Sequence, residues 1–396
     1  MIEKLGKYLF ILLCASIFVG GYFYIHFTFL TGIRILTLCS IIYYLCLPAQ
    51  KKSPLYYATL LFFLFYTCYT SCISLFYPYE LTIGTYFNFL SIPFLLFALM
   101  GPACSSPQNH LKYFYHFCYA ALVIFFFFGA IEYFTDSHLY GSALILPTTE
   151  FINKHSISIF SHNPNDFATI LTLTLLFFLS YRKIFLAHKK WIIDVVFTLL
   201  AILLIFISGC RTALCILFLY FIFYFRKFFK QYRWVSYISI FLMLLGMLFY
   251  FAYFMDESII TRWHLYQYAF ISLFDSYGLG MGIKGDIYYL SQLQNVDLFL
   301  FITDSHSYLF QMLFTSGIFC SLAYLLLIIK MERVMAQGGR NEFWILPILY
   351  LLILFAPSSS LFLWSHYLFF AMFVCYAEYI HQKINPLSVC SQQHAE

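Results

Sequence analysis

The side chains with the clearest chemical potential stand out against an apolar chain, and Arg211 is the first of them. It lies in the run Ser208-Gly209-Cys210-Arg211-Thr212, between the apolar stretches 191–208 and 213–225. A charge at hydrocarbon depth costs roughly 2.5–3.5 kcal/mol even on insertion scales, so such residues usually face a polar cavity and mark a site. The alternative is an arginine at a helix end that extends to the outer phosphate headgroups.

A second arginine, Arg262, occurs in the run Thr261-Arg262-Trp263-His264. A guanidinium presents a fixed fork of N–H donors that suits phosphate and diphosphate oxygens. Arg211 and Arg262 together could clamp a diphosphate and stabilise the negative charge that builds on it as it leaves. Alternatively, Arg262 is simply part of the polar face of a surface helix.

His306, in the run Asp304-Ser305-His306-Ser307-Tyr308, is the candidate proton acceptor. A histidine with an unperturbed pKa of roughly 6.5 can accept a proton from a sugar hydroxyl at neutral pH, and Asp304 is available to orient the ring. His264 is a competitor for this role. An interfacial histidine bonded to water is the structural alternative.

Two further segments have local explanations. Asn163, Asn165 and Asp166 precede a predicted helix, where Asn165 is expected as its N-cap and Asp166 in its first turn; binding of sugar hydroxyls is a second possible role. Gly278, Gly280, Gly282 and Gly285 lack the strand–helix context of a phosphate loop, so the Gly-rich segment predicts a hinge or tight turn.

The elements that must position these residues are membrane-spanning helices. The chain is 63% hydrophobic and 10% charged, with a mean hydropathy of +0.83, which excludes a soluble domain. Apolar stretches long enough to cross a bilayer recur throughout, so we predict an all-α helix bundle forming a single integral membrane domain, residues 1–396. Twelve spans are expected at approximately 7–27, 31–49, 54–77, 83–103, 113–134, 165–181, 191–208, 212–226, 234–254, 306–329, 343–358 and 361–380.

The basic residues predict the orientation of these spans. With a cytoplasmic N-terminus, only five of the 22 basic residues lie outside: Arg34, Lys154, Arg211, Arg262 and Lys284. This asymmetry follows the positive-inside rule for an even number of spans, so both termini and the tail 382–396 are expected in the cytoplasm. The positive charges are short clusters beside helix ends, which argues against a nucleic-acid-binding stripe.

The long outer loop 255–305 is expected to carry structure of its own. Six of the 17 acidic residues of the chain fall there. Residues 259–274 have helical apolar spacing, which predicts an amphipathic helix on the membrane surface or against the bundle. With the glycine turn and the apolar segment 287–302, it would form a lid or platform over the outer end of the spans. The twelve cysteines contain no C-x-x-C pair, so neither a disulfide framework nor a metal site is expected.

Taken in order, these motifs resemble the bacterial O-antigen ligase and O-antigen polymerase family. The resemblance covers roughly residues 163–327 and consists of the runs Ser208–Leu214, Arg262-Trp263, Tyr277–Gly282 and His306–Leu309, with Gly317-Ile318 further on. The chain departs from the family in having His306-Ser307 where members often have His-Asn.

The resemblance implies a metal-independent, inverting membrane glycosyltransferase without a cofactor. Its donor would be a glycan on undecaprenyl diphosphate, held by Arg211 and Arg262, and its acceptor a saccharide hydroxyl assisted by His306. The reaction would occur on the periplasmic face of the bacterial inner membrane, in lipopolysaccharide O-antigen biosynthesis. A chain-length regulator is a further possible partner.

Polymerase and ligase differ in the acceptor, which is another lipid-linked repeat unit for the polymerase and the lipid A–core saccharide for the ligase. Few basic residues face outward to grip a phosphorylated core, which favours the polymerase. A polysaccharide or lipid-linked glycan transporter would also be apolar with many spans, but it predicts Pro or Gly breaks and charges near mid-membrane. A purely structural subunit would leave the outward arginines and the long loop unexplained.

Overall fold

The computed structural model describes residues 2–19, 32–48, 52–79, 81–135, 157, 159, 164–186, 191–226, 257–293, 307–339, 341–355 and 363–385. Within these ranges the chain is helical, which confirms the predicted all-α class. The helices are α1 (Ile2–Phe18), α2 (Gly32–Leu45), α3 (Pro54–Ser74), α4 (Ile83–Ser105), α5 (Pro107–Thr135), α6 (Pro164–Phe185), α7 (Trp191–Ile207), α8 (Arg211–Tyr224), α9 (Glu257–Asp275), α10 (Gly285–Leu293), α11 (Tyr308–Gln337), α12 (Leu346–Phe355) and α13 (Trp364–Ile384).

Several of these helices fit a multi-pass membrane protein. Helices α3, α4, α5, α6 and α11 are long and apolar enough to cross a membrane, and α2, α7, α8 and α12 are shorter apolar helices. The predicted span 234–254 lies outside the described residues, so the number of twelve spans stays a prediction.

Helices α6 and α13 form the centre of the bundle. Nearly all side chains of α13 from Ser365 to Tyr376 are buried, and α6 is equally enclosed. Aromatic rings fill the space between helices. The centre of the Phe63 ring of α3 lies 5.6 Å from that of Phe370 of α13 and 6.0 Å from that of Tyr324 of α11. Such pairs of large rings supply most of the apolar contact area of a helical core.

Charged side chains pair at one end of the bundle, which we call the basic end. The Oε1 atom of Glu342 forms ion pairs with Lys183 Nζ at 2.8 Å and with an Arg226 guanidinium nitrogen at 3.0 Å. Arg182 forms an ion pair with Asp194. These contacts join the chain before α12 to the ends of α6 and α8. The basic end coincides with the predicted cytoplasmic segments, and we call the other end the outer end.

Helix α11 is broken at Gly317, whose backbone has φ 70° and ψ −166°. The rings of Tyr308 and Tyr324 are 5.6 Å apart, whereas sixteen positions of a straight helix would separate them by about 24 Å. Residues 308–316 therefore fold back beside residues 318–337; we call 308–316 the arm. The prediction of one uninterrupted span at 306–329 is wrong, because only residues after Gly317 run continuously towards the basic end.

The glycine loop, residues 276–284, supplies the hydrogen bonds that this break removes. Met281 N donates to Phe314 O at 2.7 Å, Gly282 N donates to Thr315 O at 2.8 Å, and Ile318 N donates to Gly278 O at 3.0 Å. A buried break in a membrane helix is tolerated only when its backbone groups find such partners inside the protein. The loop therefore stabilises the fold of α11.

Gly280 and Gly317 allow the two backbones to touch. A Cβ on Gly280 would lie 2.4 Å from Gly317 N, and a Cβ on Gly317 would lie 2.0 Å from Gly278 O. Both glycines also have positive φ. The contact therefore requires glycine at both positions, and the sequence prediction of a tight turn in the Gly-rich segment is confirmed.

Candidate functional site

Arg211 is the first residue of α8 and is exposed at the tip of the α7–α8 hairpin. Helices of 17 and 14 residues are about 26 and 21 Å long, shorter than a hydrocarbon core of about 30 Å. The hairpin therefore brings Arg211 from the basic end only part of the way across a bilayer. The amino end of α8 adds the partial positive charge of its helix dipole to that of the guanidinium, and both favour an anion.

Arg262 lies near the start of α9 and is half-exposed. One turn later, the Tyr266 hydroxyl donates to Phe355 O at 3.3 Å, and the Tyr266 ring stacks on Phe310 of the arm at 4.1 Å. The middle of α9, one turn after Arg262, is thus fixed to the last residue of α12.

The two arginines lie at a similar level along the bundle. Helix α8 meets the chain before α12 at the basic end, where Arg226 pairs with Glu342 and the ring of Phe223 lies 5.5 Å from that of Trp344. From there α8 and α12 extend side by side, so Arg211 and Phe355 lie at their far ends. The hydrogen bond from Tyr266 to Phe355 brings the Arg262 turn of α9 to that same level.

Ser307, which directly precedes the arm, is buried in this region. Its hydroxyl lies 3.1 Å from Leu354 O and 3.2 Å from Phe355 O, which are the last carbonyl groups of α12. His306 and Asp304, and also Asn163, lie outside the described residues. Their proposed roles remain predictions.

The other predicted site residues are less central. His264 is half-buried on α9, with its ring 6.3 Å from that of Tyr268. Helix α6 begins at Pro164, so Asn165 lies inside its first turn and the predicted N-cap at Asn165 is wrong; proline is a favoured first helical residue because it lacks the N–H that would go unbonded there. Asp166 lies in the first turn, as predicted.

A buried acid–amide pair was not predicted from the sequence. Asp286, in the first turn of α10, is 0% exposed, and Gln311 of the arm donates to its Oδ2 at 3.1 Å. A buried carboxylate is stable only with strong hydrogen-bond partners. In the sequence, the one signal for it was an acidic residue directly after the last glycine of the Gly-rich segment.

Three tyrosines hold the glycine loop from the side of α3. Tyr69, Tyr77 and Tyr79 donate to the consecutive carbonyls of Leu279, Gly280 and Met281, the first at 2.8 Å and the second at 3.3 Å. Burial raises the pKa of Tyr77 and Tyr79, so both hydroxyls keep their protons and remain donors. With amides bonded to the arm and carbonyls bonded to tyrosines, the loop is a platform and not a hinge.

The described residues contain no evident set of metal ligands. Among those residues, no group of three or more His, Cys, Asp or Glu side chains could hold a metal ion. Glu132 at the outer end of α5 is instead used structurally, because it accepts the backbone N–H of Ile159 at 3.0 Å.

Comparison with known proteins gives one distant likeness. No protein-family model matches the chain. The chain is similar to the teichuronic acid biosynthesis protein TuaE of Bacillus subtilis (strain 168), with 24% identity over 289 aligned residues. The match covers 67% of this chain and 58% of that protein, so the chain spans little more than half of its relative. The resemblance to O-antigen ligases and polymerases stays a prediction.

Proposed function

We propose that this chain is a multi-pass membrane glycosyltransferase of cell-surface polysaccharide biosynthesis. The observation that carries the proposal is the similarity to a protein of teichuronic acid biosynthesis. The helical bundle supports it, because a glycan carried on a membrane lipid requires an enzyme that meets its substrate in the bilayer. Two arginines at one level of that bundle supply donors for a phosphorylated lipid.

The proposed donor is a glycan on undecaprenyl diphosphate, and the proposed acceptor is a saccharide hydroxyl on the extracytoplasmic side of the cytoplasmic membrane. The acceptor oxygen attacks the anomeric carbon from the side opposite the diphosphate, so a new C–O bond forms as the bond to the diphosphate oxygen breaks. The electron pair of that bond leaves with undecaprenyl diphosphate, and the acceptor proton passes to His306 or to the leaving diphosphate. Arg211 and Arg262 neutralise the charge that develops on the leaving group.

Between the two acceptors we favour a second lipid-linked repeat unit, which makes the enzyme a polymerase. A lipid A–core acceptor carries phosphates, and only Arg34, Lys154 and Lys284 remain among the predicted outward basic residues once the two arginines hold the donor. Ligation to such a core is the alternative within this class.

A transporter of lipid-linked glycans is the second candidate, and the break at Gly317 is the observation that favours it. Transporters often use interrupted helices at their substrate sites. Against this, the hydrogen bonds of the glycine loop leave the break fixed rather than poised to move. We therefore retain glycosyl transfer, and not transport, as the main proposal.

The arginines provide the first test. Arg211→Ala and Arg262→Ala are each expected to reduce glycan transfer by roughly 10²–10³-fold, as for loss of a donor to a developing negative charge. Transfer is measured with purified protein in vesicles that contain the lipid-linked repeat unit, by the length of the saccharide products on a gel. Arg226→Ala at the basic end is the matched control and should retain transfer.

Retention of most activity by either Arg211→Ala or Arg262→Ala contradicts the proposal. A deletion strain distinguishes the alternatives: single repeat units on the cell surface indicate a polymerase, and lipid-linked polymer that never reaches its final acceptor indicates a ligase. Repeat units trapped on the cytoplasmic side indicate a transporter.

A further inference from the structure

Helix α9 has one buried face and one exposed apolar face. Leu265, Ala269 and Ser272 are buried. The exposed positions follow one another at helical spacing along the other side and are Trp263, Gln267, Phe270, Ile271 and Phe274. We call these five residues the α9 stripe; none is charged, and Phe274 is 82% exposed.

The ring contacts of α9 show how this helix is oriented. Tyr266 stacks on Phe310 near the start of the arm, and the Phe270 ring also lies 5.9 Å from that of Phe310. Beyond the end of α9, Gly278 bonds to Ile318, just past the end of the arm. Helix α9 therefore runs alongside the arm in the same direction, and the arm itself lies beside the membrane-spanning residues 318–337.

The α9 stripe continues an exposed apolar surface of the spanning helices. The second part of α11 exposes Phe319, Leu322 and Leu326 along one side. In the loop that links α9 to this part of α11, Tyr277 is 91% exposed and Leu279 is also exposed, and Gly278 between them contacts Ile318, directly before Phe319. The same loop bonds to Tyr69 of α3, so it connects the end of α9 to both spanning helices.

The dimensions of the α9 stripe match one leaflet. Residues 263–274 rise by about 17 Å along a helix, and half of the hydrocarbon core is about 15 Å thick. Exposed apolar patches that are rimmed by polar residues mark contact surfaces, and this one ends at Asp275 and the glycine loop.

We propose that the α9 stripe contacts the acyl chains of the outer leaflet, so that α9 stands in the membrane against the arm and does not lie in the extracytoplasmic solvent. Continuity with the exposed side of α11 favours lipid over a second copy of the chain. A consequence is that Arg262, directly before Trp263, lies at the deep end of the α9 stripe. The proposal does not depend on the chemistry of the site.

Tryptophan fluorescence tests this proposal in the full-length chain. The protein is reconstituted in phosphatidylcholine vesicles with or without acyl chains brominated near their middle, and the contribution of Trp263 is the difference between the wild type and Trp263→Phe. We expect brominated lipid to remove at least half of that contribution, and acrylamide in the buffer to remove little. The Trp344→Phe difference is the matched control, since Trp344 lies at the basic end bonded to Glu332 and should respond less to the lipid.

A Trp263 contribution that responds to acrylamide and not to brominated lipid overturns the proposal. So does a contribution shielded from both quenchers together with cross-linked dimers, which would assign the stripe to a second copy. If Trp263→Phe does not fold, Phe274→Trp in the wild-type background adds a signal for which the same outcomes are expected. These readouts need no transfer activity, so their failure is distinct from failure of the proposed enzyme.

Discussion

At the scale of single residues, the backbones of Gly280 and Gly317 lie too close together for a side chain on either. An added methyl group at either position meets backbone within 2.0–2.4 Å and must also adopt positive φ. Neither backbone can move away, because hydrogen bonds fix both on two sides. Only glycine therefore fits at these two positions without displacing the backbone, which the composition of the chain does not reveal.

We expect Gly280→Ala and Gly317→Ala each to destabilise the protein by roughly 2–4 kcal/mol, through overpacking and backbone strain together. Gly278→Ala is the control in the same loop, because it has a similar φ of 78° but its Cβ would meet only Ile318 Cγ2 at 3.4 Å. Its expected cost is about 1 kcal/mol from strain alone. Thermal unfolding in detergent measures the difference, and equal losses in all three variants would refute the close-contact argument.

The sequence drew attention to individual residues but did not predict their surroundings. The unusual context of Arg211 and of the glycines was visible in the chain, because a charge or a glycine run is rare within apolar segments. Asp286 was not recognised as buried, since burial of a carboxylate depends on a partner, Gln311, that lies 25 positions further on. Long-range pairs of this kind leave no local pattern.

At the scale of elements, the arm is held by helices on several sides. Helix α9 packs on it through Tyr266, α10 through Asp286, and α12 through the carbonyls that face Ser307. Hydropathy could not predict this arrangement, because residues 306–329 are mostly apolar and were predicted as one span. The interruption depends on a glycine loop distant in sequence, so the break was missed although both glycine motifs had been noted.

We expect Gln311→Leu to destabilise the protein by roughly 1.5–3 kcal/mol, because it removes a hydrogen bond to a buried carboxylate. The cost should be smaller in an Asp286→Ala background, where that carboxylate is absent. Unfolding midpoints of the two single variants and the double variant measure the coupling. Strictly additive losses would mean that the pair does not attach α10 to the arm.

At the scale of the whole molecule, the bundle has two distinct ends, and the predicted orientation puts the basic end in the cytoplasm. Lys183, Arg226 and Glu342 gather at one end, whereas the glycine loop lies at the other. Hydropathy predicted most of the described helices closely, because length and apolarity decide whether a segment can span a bilayer. The predicted spans 191–208 and 212–226 agree with α7 and α8 to within two residues, so the short α7–α8 hairpin also follows from the sequence.

This orientation predicts opposite chemical access for two exposed positions. In right-side-out vesicles, Lys284→Cys should gain a label from a membrane-impermeant maleimide reagent, whereas Gln337→Cys should gain one only after permeabilisation. The positive-inside rule is the physical reason, because the basic end stays in the cytoplasm. The added label is measured as a mass increase over the wild-type chain, and labelling of both positions from outside would invalidate the topology.

The hydrogen bonds between the glycine loop and the broken helix α11 also have a consequence for how this protein is made. Residues 278–282 are translated before residues 308–337, so the loop that bonds to the arm is already made when the arm emerges from the ribosome. The insertion machinery meets residues 308–337 as one sufficiently apolar stretch, yet the mature chain divides it into two antiparallel parts. We therefore expect the arm to reach its place beside residues 318–337 only after the chain has entered the bilayer, by bonding to a loop that was made earlier.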